Sequence, residues 1–320
     1  MALLSGFLGS GKTTFVRALL SRPGMRDTLV VVNEFGAVGI DHELIEAVHD
    51  DVVLLRGGCL CCGVRQDLAR TLRDLHRRWQ GGQVPRFARV VIEASGLAEA
   101  GAVAGMLLAH PLVSDAYALR SITTLVDAEY GAGQLSRHPT CRRQVAAADR
   151  ILLTKPDRAA AAAQAGLRRR LAAMNALAPV EACRFGDADA TPLFAPAPVP
   201  RLRRRPLAAE HDDDIISRVL TADAPLAWPA VQRFLAALAE AMGERLLRLK
   251  GILDLAGEAL PVVVQAVQHS YYPLETLPAW GTARRASRLV LITEGALPAA
   301  FANALADCSA AAPLRLPRGG

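Results

Sequence analysis

Apolar residues follow two alternating rhythms from the start of the chain to about Phe194. Short β-rich runs occupy Ala2-Leu3-Leu4, Thr28–Asn33, Val52–Leu55, Ala88–Glu93, Ile122–Asp127, Arg150–Thr154 and Val180–Cys183. Between them, helical periodicity covers Thr13–Ser21, Arg65–Trp79, Ala100–Leu108, Cys141–Ala148 and Ala159–Ala176. In the first of these, Phe15, Val16, Leu19 and Leu20 form the apolar side. Strands that alternate with helices predict an α/β fold, a mostly parallel sheet covered on both faces. In such folds ligands bind beyond the carboxyl ends of the strands.

The rhythm breaks after Ala195. Residues 196–214 hold Pro196, Pro198, Pro200 and Pro206, the run Arg203-Arg204-Arg205, and then Glu210-His211-Asp212-Asp213-Asp214. This composition reads as a solvated linker, in preference to a weak metal site built on His211 and its carboxylates. Residues 215–320 then predict a smaller α+β domain. Its helix, Pro229–Met242, puts Val231, Phe234, Leu235, Leu238 and Met242 on one face. Strand-like runs follow at Leu246–Leu255, Pro261–Tyr271 and Ser287–Thr293, and a helix is expected around Pro298–Ala306. The division is thus residues 1–195, a linker at 196–214, and 215–320.

Composition narrows the function classes. With 320 residues and 52% hydrophobic content the chain can bury two cores. It has no run of about twenty apolar residues, so neither a membrane span nor a membrane partner is expected. The net charge of +6 invites a nucleic-acid reading, but the arrangement argues against one. Lysine occurs only at Lys12, Lys155 and Lys250, and the clusters Arg168-Arg169-Arg170 and Arg203-Arg204-Arg205 lack interleaved aromatics for stacking on bases. No nucleic-acid partner is expected.

Gly6-Phe7-Leu8-Gly9-Ser10-Gly11-Lys12-Thr13 has the spacing G-x-x-x-x-G-K-T of a phosphate-binding loop. An apolar run precedes it and an amphipathic helix follows, which is the context that separates this motif from a glycine-rich turn with a chance lysine. The glycines let successive N–H groups converge on a phosphate, and the helix N-terminus adds partial positive charge. Lys12 is placed to reach the β- and γ-phosphates, and the Thr13 hydroxyl to ligate Mg²⁺. Because the loop starts at Gly6, there is no room for a leader peptide, and a cytoplasmic protein with reduced thiols is expected.

Two further motifs refine the ligand. Thr154-Lys155-Pro156-Asp157 closes an apolar run and matches the [N/T]-K-x-D base-recognition pattern of GTPases. The Asp157 carboxylate can accept both N1–H and the exocyclic amine of guanine, whereas adenine offers no such pair, so GTP is favoured over ATP. Glu93-Ala94-Ser95-Gly96 has the E-x-x-G spacing of a γ-phosphate-sensing loop. There Glu93 faces Mg²⁺ and the Gly96 N–H meets the γ-phosphate. Lys12 and Glu93 are the groups expected to act in catalysis. Val126-Asp127 ends the next strand and supplies a further structural carboxylate. The loop Asn33–Asp41, with Glu34 and Asp41, reads as either a nucleotide switch or a plain turn.

Gly57-Gly58-Cys59-Leu60-Cys61-Cys62-Gly63 is the second strong signal. In a regular strand Cys59 and Cys61 share a face and Cys62 points away, but the flanking glycines let the sulfurs converge. Three thiolates suit Zn²⁺ or another thiophilic ion in a tetrahedral site, with a fourth donor from Glu34, a histidine, water or a partner. An incomplete local set favours handover of the ion over permanent structural zinc. A redox pair fits less well, because C-x-C-C is not C-x-x-C. Cys141, Cys183 and Cys308 are isolated and read as core residues.

Taken together, GFLGSGKTT (Gly6–Thr14), NEFGAVGID (Asn33–Asp41), GGCLCC (Gly57–Cys62), EASG (Glu93–Gly96) and TKPD (Thr154–Asp157) make the chain similar to the CobW-type GTPase family. That family is related to the nickel-insertion GTPases of urease and hydrogenase maturation. The run Gln144–Arg150 and the sequence Arg248-Leu249-Lys250-Gly251 also resemble its patterns. The resemblance covers nearly the whole chain. It implies a P-loop NTPase domain joined to a CobW C-terminal-type domain, and a GTP-hydrolysing metallochaperone for Zn²⁺ or Co²⁺. By that resemblance Gly9, Ser10, Gly11, Lys12, Thr13 and Thr14 hold the phosphates, Thr13 holds Mg²⁺, and Thr154, Lys155 and Asp157 form the guanine site. Cys59, Cys61 and Cys62, with Glu34, hold the cargo metal.

In the expected cycle, Mg·GTP closes the loops at Asn33–Asp41 and Glu93–Gly96 and tightens the thiolate site. Hydrolysis relaxes them, and the ion passes to a client metalloprotein. The motifs supply no evident catalytic glutamine or arginine finger, so turnover should be slow without metal, a client or a second subunit. A nucleotide- or metal-dependent homodimer is therefore left open. Two rival readings remain. One is a P-loop ATP-dependent small-molecule kinase or ligase with a structural zinc site. The other is a non-catalytic redox-sensing partner protein.

Overall fold

The computed structural model describes residues 1–25, 27–33, 52–54, 64–184, 191–194, 214–280 and 285–309. These fall into two units, one spanning residues 1–194 and the other 214–309. Glu34, Asp41, Cys59, Cys61 and Cys62 lie outside the described residues.

The first unit is built on strands β1 (Ala2–Gly6), β2 (Thr28–Asn33), β3 (Val52–Leu54), β4 (Arg89–Ala94), β5 (Ser121–Asp127), β6 (Arg150–Thr154) and β7 (Val180–Cys183). They form one sheet in the order β3-β2-β4-β1-β5-β6-β7, and every pairing is parallel. Central strands are covered on both faces and so carry unbroken apolar runs in place of an alternation. All five residues of β1 are buried. Strand order reverses at β1, which lies between β4 and β5, and the crevice at that switch point is where such sheets bind ligands.

Helices cover Lys12–Leu20, Val64–Gln80, Ala100–Ala109, Pro139–Ala147 and Ala161–Met174, each within two residues of its expected ends. A further helix, Gly131–Arg137, was not legible because two glycines and a serine interrupt its apolar spacing. Gly131 serves packing there: a Cβ would stand 2.7 Å from Val126 Cγ1.

The second unit is an antiparallel sheet of β8 (Ile215–Ala222), β9 (Leu246–Leu253), β10 (Val262–Val267), β11 (Ser270–Tyr271), β12 (Glu275–Thr276) and β13 (Ser287–Glu294). The helix Trp228–Met242 buries Val231, Phe234, Leu235, Leu238 and Met242 against it, the face its periodicity marked out. Two expectations need correcting. Pro261–Tyr271 is not one strand: it folds back between β10 and β11, with Gln268 in the left-handed region at φ 52°. The segment from Pro298 to Ala306 forms only 3-10 turns, Ala299–Phe301 and Ala306–Cys308, instead of a helix. Its end is held elsewhere, because Ala227 N–H donates to the Cys308 carbonyl and Leu226 bridges to Ser309. Strand β8 was not anticipated at all.

Among the described residues no helix is long and apolar enough to cross a membrane.

Candidate functional site

The loop after β1 turns on three glycines in positive φ, Gly6 at 144°, Gly9 at 73° and Gly11 at 90°. Gly6 also has no room for a side chain, since a Cβ would sit 2.5 Å from the Leu125 carbonyl oxygen. Ser10 N–H closes the turn on the Phe7 carbonyl at 3.2 Å, and Phe15 N–H starts the helix on the Gly11 carbonyl at 2.9 Å. Lys12, the first residue of that helix, donates its ammonium to the carbonyls of Gly6 (2.9 Å) and Phe7 (3.1 Å). Ser10 is buried, whereas Gly9 and Thr14 are exposed.

The next residue joins this loop to β4. Thr13 Oγ1 donates to Glu93 Oε1 at 2.9 Å, although the two stand 80 positions apart in the chain. Glu93 is buried at the carboxyl end of its strand. Two hard oxygen donors in contact, one of them a carboxylate, are the donor chemistry Mg²⁺ selects. The turn that follows, Ser95–Ala98, lies against the phosphate loop. A Cβ on Gly96 would be 2.6 Å from Leu8 Cδ2 and 2.8 Å from the Leu8 backbone nitrogen, so only glycine allows the approach.

The loop after β6 is fastened to the same place. Thr154 Oγ1 is 2.8 Å from the Ser10 carbonyl and 3.2 Å from that of Val126. The Lys155 ammonium donates to the Gly9 carbonyl at 2.7 Å and pairs with Asp127 Oδ2 at 2.6 Å. Lys155 has φ 50°, a left-handed conformation that a side-chain-bearing residue keeps only when its surroundings enforce it. Asp127 holds the ammonium of this residue from the end of β5. It is 1% exposed. Its second oxygen accepts the N–H groups of Glu129 (2.8 Å) and Tyr130 (3.2 Å). Asp157 sits in the short turn Pro156–Arg158 and is exposed, free to meet a ligand.

The fold therefore gathers Gly9, Ser10, Gly11, Lys12, Thr13, Thr14, Glu93, Gly96, Thr154, Lys155 and Asp157 at the carboxyl ends of β1, β4 and β6. Glu34, Cys59, Cys61 and Cys62 lie outside the described residues. The described cysteines, Cys141, Cys183 and Cys308, are all buried and none is in a disulfide. Burial pushes the Cys141 thiol up to about 11. Among the described residues no group of three or more His, Cys, Asp or Glu side chains is arranged to hold a metal.

Gln144 reaches the site without having been assigned a role from the sequence. Its amide, on the helix Pro139–Ala147, donates to the carbonyls of Gly96 (3.1 Å) and Ala98 (2.8 Å). The signals available were one polar residue on the buried face of the helix, beside Cys141 and Val145, and the family-like run Gln144–Arg150 that it opens.

Comparison with known proteins agrees with this geometry. Residues 1–181 match the family described as CobW/HypB/UreG, nucleotide-binding domain, and residues 215–309 match the cobalamin synthesis protein cobW C-terminal domain. The chain is 35% identical over 317 residues to the zinc chaperone YjiA of Escherichia coli, covering 95% of this chain and 98% of that protein. It is 30% identical over 346 residues to the zinc chaperone CobW of Pseudomonas aeruginosa, covering 95% and 90%. The crystal structure of Zn(II)-bound YjiA GTPase from E. coli superposes with a TM-score of 0.72 at 28% identity, covering 96% of this chain and 97% of that one. With both of its units matched, and with the loops after β1, β4 and β6 assembled at the switch point of a parallel sheet, this chain belongs to the CobW/HypB/UreG family of nucleotide-binding proteins.

Proposed function

We propose that the chain is a GTP-hydrolysing metallochaperone of the cytoplasm. It carries Zn²⁺, or Co²⁺, on Cys59, Cys61 and Cys62 with Glu34 as a further donor, and releases the ion to a client protein. One observation carries the nucleotide half of this reading. Thr154 and Lys155 bond to the carbonyls of Ser10 and Gly9, so the base-recognition loop and the phosphate loop are parts of one rigid frame. A base bound at Asp157 and a triphosphate bound at Lys12 then belong to a single ligand. The names of the relatives, zinc chaperones and a Zn(II)-bound GTPase, support the metal half.

Within this frame each residue has a task. The N–H groups of the loop through Gly9, Ser10, Gly11 and Lys12 cradle phosphate oxygens, and the Lys12 ammonium balances their charge. Thr13 and Glu93 fit as the oxygen donors for Mg²⁺, which when bound neutralises charge on the β- and γ-oxygens. The Lys155 stem is held flat by Asp127 for the guanine ring to lie on. The Asp157 carboxylate accepts two donors from guanine, and an adenine base would leave it unpaired. The Gly96 N–H reports whether a γ-phosphate is present, and loss of that contact on hydrolysis loosens the thiolate loop.

Competition between GTP and ATP, with and without Zn²⁺, tests the reading. Tighter binding of GTP, together with a Zn²⁺ affinity that differs between a non-hydrolysable GTP analogue and GDP, is expected. The difference should vanish in Cys59→Ser, Cys61→Ser and Cys62→Ser. Equal Zn²⁺ affinity in both nucleotide states would refute the coupling.

A further inference from the structure

We infer that Gln144 is the positioning residue that sets the preference of this site for GTP over GDP, by holding the Ser95–Ala98 turn in the register that senses the γ-phosphate. The inference rests on the GTP reading above and names a residue that reading does not use.

The turn is short and self-closed: Ala98 N–H donates to the Ser95 carbonyl at 3.0 Å. Its front touches the phosphate loop, with Gly96 against Leu8. Its back is held by the Gln144 amide nitrogen, which donates to the Gly96 and Ala98 carbonyls together. Gln144 is 1% exposed, so water does not replace either bond. Fixing the Gly96 carbonyl fixes the peptide plane that follows Gly96, and contact with Leu8 fixes its Cα. The direction of the Gly96 N–H then has little freedom left.

Gln144 is itself anchored. Its backbone carbonyl accepts the Thr124 hydroxyl of β5 at 3.0 Å. Its helix begins beside the phosphate loop, where the rings of His138 and Phe7 stack with centroids 4.7 Å apart. A second tie from the same helix, Arg143 to Glu99 at 2.7 Å, has both side chains about one-third exposed and is screened. The buried amide is therefore the dominant constraint on the turn.

The test compares the wild-type chain with Gln144→Met, which keeps the length and loses both donors, and with Gln144→Glu, which sets a carboxylate against two carbonyls. Affinities for GDP and for a non-hydrolysable GTP analogue are measured by titration, and hydrolysis is split into kcat and KM. A GTP-to-GDP affinity ratio reduced about tenfold, at the low end of what two net hydrogen bonds are worth, is expected with GDP binding little changed. The kcat should fall with it. A residue that merely supported the fold would weaken both nucleotides equally and leave the ratio intact, which would overturn the inference. If neither variant folds, exchange of the Gln144 side-chain amide protons in the wild-type chain decides. Protection of that amide that rises with the GTP analogue and not with GDP supports the inference, and equal protection in the two states overturns it. Wild-type protein that hydrolyses GTP beside variants of unchanged ratio sinks this inference alone. Wild-type protein that binds no GTP sinks the reading of the site as well.

Discussion

Asp127 uses both carboxylate oxygens, one to pair with Lys155 and the other to cap the turn at Glu129 and Tyr130. Asp127→Asn keeps the cap and removes the charge, which leaves the Lys155 ammonium without its counter-ion in a partly buried place. A stability loss of about 1–2 kcal/mol is expected in denaturant titration, since the lysine is still reached by water. Guanine nucleotides should also bind several-fold more weakly, because the stem of Lys155 is no longer held flat. Cysteine behaviour is a second matter at this scale. Burial raises the Cys141 thiol to about 11, from an ordinary value of 9.0, so its thiolate is about a hundredfold scarcer near pH 8. Alkylation followed by mass spectrometry should therefore spare Cys141 in native protein at pH 8. Labelling should rise as pH climbs toward 11, and should be immediate after denaturation.

At the scale of elements, Asn175 shows how helices are joined by one side chain. It is fully buried at the end of the helix Ala161–Met174. Its amide nitrogen lies 2.8, 3.2 and 2.9 Å from the carbonyls of Val145, Ala146 and Ala148. Val145 and Ala146 stand in the last turn of the helix Pro139–Ala147, where carbonyls run out of partners along the helix, and Ala148 follows it; the Val145 carbonyl also accepts the Ala148 N–H at 3.2 Å. Its oxygen accepts the N–H groups of Leu177 and Ala178. Asn175→Ala strands these groups in a dry interior and should cost about 2–4 kcal/mol in chemical denaturation. Because the affected helix carries Gln144, nucleotide hydrolysis should weaken in parallel. The strands of the first unit were legible because buried parallel strands are apolar throughout, as in Ile151-Leu152-Leu153. The helix Gly131–Arg137 and the strand Ile215–Ala222 were not. Gly131 is chosen for contact with Val126, and in β8 the burial follows no strict alternation.

For the whole molecule, two separate cores stand out. One is centred on the first helix and its sheet, with Phe15, Val16 and Leu19, and the other on the helix Trp228–Met242. Ligand that binds only the native first unit adds stability there by mass action. At a hundredfold excess over Kd, Mg·GTP should contribute about 2.7 kcal/mol and raise the melting temperature by roughly 5–10 °C. Mg·ATP at the same concentration should give little shift, and differential scanning fluorimetry distinguishes the two. What the sequence determined by itself was whatever short-range chemistry encodes: the phosphate loop from its glycine spacing, the T-K-x-D turn, and the strand and helix periods. It also marked Asp127 as a structural carboxylate, from its place at a strand end. Only the tertiary structure decided what those pieces do to one another. That Thr13 meets Glu93, that Lys155 bonds Gly9, and that Gln144 holds Gly96 are contacts between residues 48 or more positions apart. Such contacts arise when a parallel sheet brings the ends of its strands side by side, and no local pattern records which carbonyl an amide will find across that gap.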